Sequence, residues 1–223
     1  MMFLYPGRSE RPAVPGTRVG AMGAIRERGQ WRIRPGMTRG KRQEGNGHQS
    51  LSLHDLDKGQ QPGISKGYGA SLAEAATICL EERAHQTGVR LPVDGDFEEV
   101  FKVVWERSSS QMRACWADAD FTTEQGAYGV AALLVPALTE MAIVSRSVRG
   151  TGFDFWIGRT DDAGPLFQNQ SRLEVSGIRK GDGRSIQTRV QAKLKQTCRS
   201  DGLLPALVVV VEFGEPRSRV VRK

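Results

Sequence analysis

A chain of 223 residues, 39% hydrophobic and 26% charged, has enough apolar material for a sizeable core and fits one domain with extensions or two small ones. The net charge of +7 sits entirely in residues 1–45, where ten Arg and Lys face three Asp and Glu; the remainder is neutral, so the overall basicity is no argument that the folded part binds nucleic acid. Cys79, Cys115 and Cys198 form no CxxC pair, His48, His54 and His85 have no zinc spacing, and no apolar run reaches the roughly 18 residues of a membrane span, which excludes a zinc ribbon, a disulfide framework and a helical membrane protein. The opening MMFLYP is too short an apolar run for a signal peptide, and the expectation is a cytoplasmic protein with reduced thiols.

Residues 1–62 are rich in Gly, Arg, Pro and Gln with almost no apolar periodicity, which predicts a disordered basic segment. A basic arm that holds nucleic acid is one reading of it; an extension without a role is the other. Order is expected from about Gly67. Ser71 and Glu74 have capping-box spacing, and Leu72, Ala75, Ala76, Cys79 and Leu80 recur at helical spacing, so a helix is predicted there, closed by Gly88. His85, near its end, reads as a solvated side chain or one favoured by the helix dipole. Leu91–Asp96 reads as a turn and Val100–Trp105 as a strand. A short helix through Met112 and Trp116 follows.

Thr122 and Gln125 repeat the capping-box spacing and start a helix that is apolar almost all round, hence buried, with Pro136 expected to kink it or end its first part. Ala142–Ser147 reads as a strand. Two further segments, TGFDFWIG and RLEVSGI, carry one acid each. Strand alternation puts Asp154 and Trp156 on one side and Phe153, Phe155 and Ile157 on the other; it likewise sorts Arg172, Glu174 and Ser176 away from Leu173 and Val175. Paired strands would set the two carboxylates side by side, as a metal site or as two solvated charges. The next helix, about Ser185–Thr197, buries Ile186, Val190 and Leu194, and Ala206–Val211 is an unbroken apolar run that predicts a central strand covered on both faces. The tail GEPRSRVVRK is expected to fray or to add an edge.

The order helix, strand, strand, strand, helix, strand, with Gly152-Phe153-Asp154 on the second strand, Leu173-Glu174-Val175-Ser176 on the third and Glu124 early in the first helix, resembles the PD-(D/E)XK nuclease superfamily over about residues 121–213. The resemblance implies an α/β fold with a mixed sheet and a restriction-endonuclease-like αβββαβ core over 121–223; an α/β extension over 63–120 and the basic segment over 1–62 precede it. It implies hydrolysis of phosphodiester bonds with Mg²⁺ (or Mn²⁺) held by Asp154 and Glu174, and Glu124 as an auxiliary acid. Such chemistry needs hard oxygen ligands, because the cation offsets negative charge developing on the phosphate and helps to form hydroxide. An acid in a helix's first turn also complements the helix dipole, which is the plain alternative for Glu124.

The chain departs from the pattern at one place. The family's lysine, two residues after the Glu, is replaced by Ser176, whose hydroxyl brings no positive charge. Family members exist in which this lysine has moved to the following helix. Lys193 is its counterpart here, with Lys195 and Lys180 as weaker substitutes. Otherwise the fold is kept without catalysis, as a binding or interaction protein. Arg172, Arg179, Lys180, Arg184, Arg189 and Lys195 form a local basic cluster that suits phosphate contacts, or a solvated helix face. The expected partner is nucleic acid, DNA first, with a homodimer open and no membrane.

Overall fold

The computed structural model describes residues 49–159, 170–200 and 204–223; the expectations for residues 1–48, the basic arm among them, lie outside the described residues. The elements run β1 (Ser50–Ser52), a 3-10 helix (Leu53–Lys58), α1 (Lys66–Glu81), β2 (Val89–Gly95), β3 (Glu99–Val104), α2 (Ser110–Cys115) and α3 (Ala119–Leu138). They continue with β4 (Ala142–Arg146), β5 (Phe155–Gly158), β6 (Ser171–Ile178), α4 (Gly183–Gln196), a 3-10 turn (Thr197–Ser200), β7 (Ala206–Glu212) and β8 (Arg217–Arg222). All eight strands join one mixed sheet in the order β1-β3-β2-β8-β7-β6-β5-β4. The architecture is therefore mixed α/β, and helix, strand, strand, strand, helix, strand is the observed order from α3 to β7.

Alternation along the central strands divides the core. Leu173 and Val175 of β6, with Leu207, Val209 and Val211 of β7, pack with residues of α1 and α3 in the main cluster. Val208 and Val210 face the other way and meet Ile186 and Val190 of α4. Every residue of β7 is buried, as its unbroken apolar run predicts for a strand covered on both faces. β6 and β7 are parallel with Glu174 opposite Val208, while β5 pairs antiparallel with β6. The α4 crossover is the connection that a parallel neighbour requires.

Five local expectations are corrected. Residues 49–62 are not disordered: Leu51, Leu53 and Leu56 are buried, and three leucines in SLSLHDLDK anchor a segment too short to show a period. Neither capping box forms. Ser65 caps α1, accepting from Tyr68 N, and Asp118 caps α3, accepting from Asp120 N and Phe121 N, so both helices start earlier than predicted. Leu91–Asp96 is no turn but falls largely in β2, where Pro92 is tolerated because β8 joins β2 only from Val93 onward. The C-terminal tail is no edge: β8 lies between β7 and β2, with Ser218 and Val220 buried. His85 is not simply solvated either, since its Nε2 lies 3.0 Å from the Phe213 carbonyl.

Pro136 does not end α3. It lacks the N–H that would bond the Ala132 carbonyl, and Gln61 Nε2 donates to that carbonyl instead at 2.7 Å. Gln61 Oε1 also accepts from Ile143 N, so one side chain fastens the end of α3 to β4.

Candidate active site

Asp154 precedes the first residue of β5 rather than lying within the strand. Its N–H donates to the Leu173 carbonyl, and its Oδ2 accepts from Val175 N at 2.8 Å, so the side chain continues the β5–β6 ladder where the backbones part. Its other oxygen, Oδ1, accepts from the Tyr128 hydroxyl at 2.8 Å. The same hydroxyl lies 2.6 Å from Glu124 Oε1. Glu124 and Tyr128 are four apart on α3, so they share a helix face, and one hydroxyl proton serves two carboxylates. Because α3 begins at Ala119, Glu124 is past the first turn and the dipole reading for it falls away.

Glu174 is fully buried on the α4 side of β6. Lys193 Nζ donates to its Oε1 at 2.5 Å, and Oε2 has no hydrogen-bond partner among the described residues. Burial pushes the Glu174 carboxyl up to about 7, the negative charge of Asp154 pushes the same way, and Lys193 opposes both. The residues thus fit a divalent cation: a buried carboxylate oxygen without a partner and a second carboxylate acting on it electrostatically. Among the described residues no group of three or more His, Cys, Asp or Glu side chains is arranged to hold a metal. Two carboxylates suffice for Mg²⁺, which keeps water and takes substrate phosphate oxygens as its remaining ligands.

Lys193 is the lysine that reaches Glu174; Lys180 and Lys195 form no ion pair with either acid among the described residues. Ser176 is buried and accepts a hydrogen bond from Arg189 Nη1 at 3.0 Å. Arg189 and Lys193 are one turn apart on α4, and they reach alternate residues of β6, Ser176 and Glu174.

The expected basic cluster does not act as a unit. Arg172 is withdrawn from it: only 2% exposed, it donates to the Thr197 and Leu204 carbonyls and serves the interior. Arg179 pairs with Glu82 and approaches the Ala119 carbonyl. Lys180, Arg184 and Lys195 are exposed. Trp156 is half-buried, and Phe153 meets it edge-on.

Sequence reasoning missed Tyr128 and Arg146. Tyr128 passed as one more apolar position of α3, and only its i+4 spacing from Glu124 could have marked it. Arg146 ends β4, and its guanidinium lies 5.2–5.9 Å from the ring centres of Tyr68, Tyr128 and Phe155. Both line an open pocket of about 830 Å³ together with Glu124 and Asp154.

No protein-family model, curated protein sequence or solved structure matches the chain. Among the described residues, no helix is long and apolar enough to cross a membrane.

Proposed function

We propose that the protein is a metal-dependent nuclease of PD-(D/E)XK type, with a restriction-endonuclease-like core, that hydrolyses phosphodiester bonds in nucleic acid, DNA before RNA. The observation that carries this reading is the contact of Lys193 with Glu174. A cation that the motif lacks at Ser176 arrives from the next helix on the acid where it is needed. Asp154 and Glu174 would hold Mg²⁺ or Mn²⁺, which when bound supplies Lewis acidity toward the phosphate.

The chain's own groups do the rest. Tyr128 and Val175 N fix the Asp154 carboxylate through its two oxygens, so its orientation needs no reorganisation during the reaction. Lys193 neutralises Glu174 and places a positive charge where an attacking water would lose its proton. Arg189, tied to Ser176, adds a second cation on the same helix. Glu124, joined to Asp154 through Tyr128, is an auxiliary carboxylate at the pocket wall.

The test is incubation of labelled DNA and RNA with the protein and Mg²⁺ or Mn²⁺, beside Asp154→Ala and Glu174→Ala. Metal-dependent cleavage lost in both variants supports the reading. Cleavage that survives both substitutions, or no cleavage by the unaltered chain with either metal, rejects it.

A further inference from the structure

The pocket beside the paired acids has a cationic wall that the motif does not account for. Arg146 and Arg149, at the end of β4 and in the loop after it, line it from one side, and Lys195 of α4 lines it as well. Asp154 and Glu124 line the same pocket. Three cations around two acids is the charge pattern of a site that takes an anion beside a bound metal.

Arg146 is the best-placed of the three. Its guanidinium lies over three aromatic rings, and its one hydrogen bond among the described residues goes from Nη1 to the Tyr68 hydroxyl at 2.6 Å. An Arg within cation–π range of three rings has its conformational freedom already restricted, while the one hydrogen bond to Tyr68 leaves most of its N–H donors uncommitted among the described residues. That edge matches the oxygens of a phosphodiester, which accept a planar fork of donors. The side chains of Arg149 and Lys195 make no ion pair or hydrogen bond among the described residues, and both residues are exposed. By contrast, Arg179 of the basic turn is engaged with Glu82, and Lys180 and Arg184 do not line this pocket.

We propose that Arg146, Arg149 and Lys195 form a phosphate-binding wall, and that the nucleic-acid backbone crosses the site along it rather than along the Arg179–Arg184 turn. The inference rests on the nuclease reading above and specifies how that site holds its substrate. Arg146 grips one phosphate with its fork, while Arg149 and Lys195 act as point charges on its neighbours.

The experiment measures binding, so it does not depend on turnover. Anisotropy of a fluorescein-labelled oligonucleotide, single-stranded and as its duplex, is followed against salt with Ca²⁺ and again with EDTA. Arg149→Ala, Lys195→Ala and Arg146→Met are each expected to weaken binding and to lower the slope of log K against log salt by roughly 0.7–0.9, one phosphate contact each. Arg146→Lys keeps the charge and guards against misfolding of the Met variant; it is expected to keep the slope and lose affinity through the missing fork. If Lys180→Ala and Arg184→Ala lower the slope while the pocket variants leave it unchanged, the proposed path is wrong. It is equally wrong if neither group changes the slope. Should the unaltered chain cleave with metal while the pocket variants bind like it, this inference alone fails. Should the chain neither bind nor cleave, the nuclease reading fails with it.

Discussion

Lys193 Nζ stands 2.5 Å from Glu174 Oε1, across 19 positions of chain and between two layers of the fold. The contact follows from how α4 returns over the sheet. Ile186 and Val190 seat the helix on Val208 and Val210, so the residues beside that stripe overhang β6. As α4 advances from Arg189 to Lys193, β6 is met in reverse, from Ser176 to Glu174. The cations come one helical turn apart and the residues they reach are two apart on the strand, distances of about 6 and 7 Å that match.

Glu174 makes the metal-free protein less stable at neutral pH. Its carboxyl is raised to about 7 in the folded chain against an ordinary value of 4.5, so the folded state holds the proton more tightly than the unfolded state. The stability tied to that proton is fully present below about pH 4.5, is lost as the pH rises through about 7, and stays lost above it. Glu174→Gln is therefore expected to melt higher than the unaltered protein at pH 8 in EDTA, by on the order of 1–3 kcal/mol, with the difference closing below pH 4.5. Thermal melts across pH check it. A variant that melts lower at pH 8 contradicts the cost that burial, and with it the charge of Asp154, places on the ionised Glu174 carboxyl.

The hydroxyl of Tyr128 orients Asp154 from outside the proposed metal shell. Tyr128→Phe keeps the ring against Phe155, 5.1 Å between centroids, and removes only the oxygen shared by Glu124 and Asp154. Mn²⁺ affinity measured by calorimetry is expected to fall about 10-fold, the low end for loss of a supporting hydrogen bond behind a ligand. An unchanged affinity with a lower melting temperature would make Tyr128 purely structural.

Much of this site was legible before the structure. Alternation in RLEVSGI placed Leu173 and Val175 on the opposite face from Glu174 and Ser176, because a strand's period of two leaves no other arrangement once one face is core. Lys193 was legible from the apolar stripe Ile186, Val190 and Leu194, which fixes what the rest of α4 overhangs. The failures have physical causes as well. RSRVVR alternates like any half-buried strand, but its arginines made it read as a tail. Arg172 looked like a surface cation because nothing in the local sequence shows that the Thr197 and Leu204 carbonyls converge on it. Arg146 depends on rings from α1, α3 and β5, and such a meeting is invisible to any window of sequence.

Gly177 sets how closely α3 approaches the strand that bears Glu174. A Cβ there would stand 2.4 Å from the Thr123 carbonyl oxygen and 2.7 Å from Thr123 Cγ2, one residue before Glu124. Gly177→Ala must push α3 away, at a cost of about 1–3 kcal/mol or more. Urea denaturation reads the loss, and a variant within about 0.5 kcal/mol of the unaltered chain, the range of a neutral surface change, would show that the approach is not tight.

Metal binding should stabilise the fold and relieve Glu174 together. Mn²⁺ at 100 times its dissociation constant is expected to add about 2.7 kcal/mol to the unaltered protein and to give little to Asp154→Asn. Equal gains in both proteins would place any metal elsewhere.

The role of Lys193 is the point on which the account stands most directly. Single-turnover cleavage of labelled DNA with Mg²⁺, by the unaltered chain and by Lys193→Met, measures it. The predicted result is a rate reduced by roughly 10²–10⁴ with DNA affinity nearly kept, the size of effect for a group acting on a proton in the transition state. Cleavage by Lys193→Met at the rate of the unaltered chain would contradict the claim that this lysine supplies what Ser176 lacks.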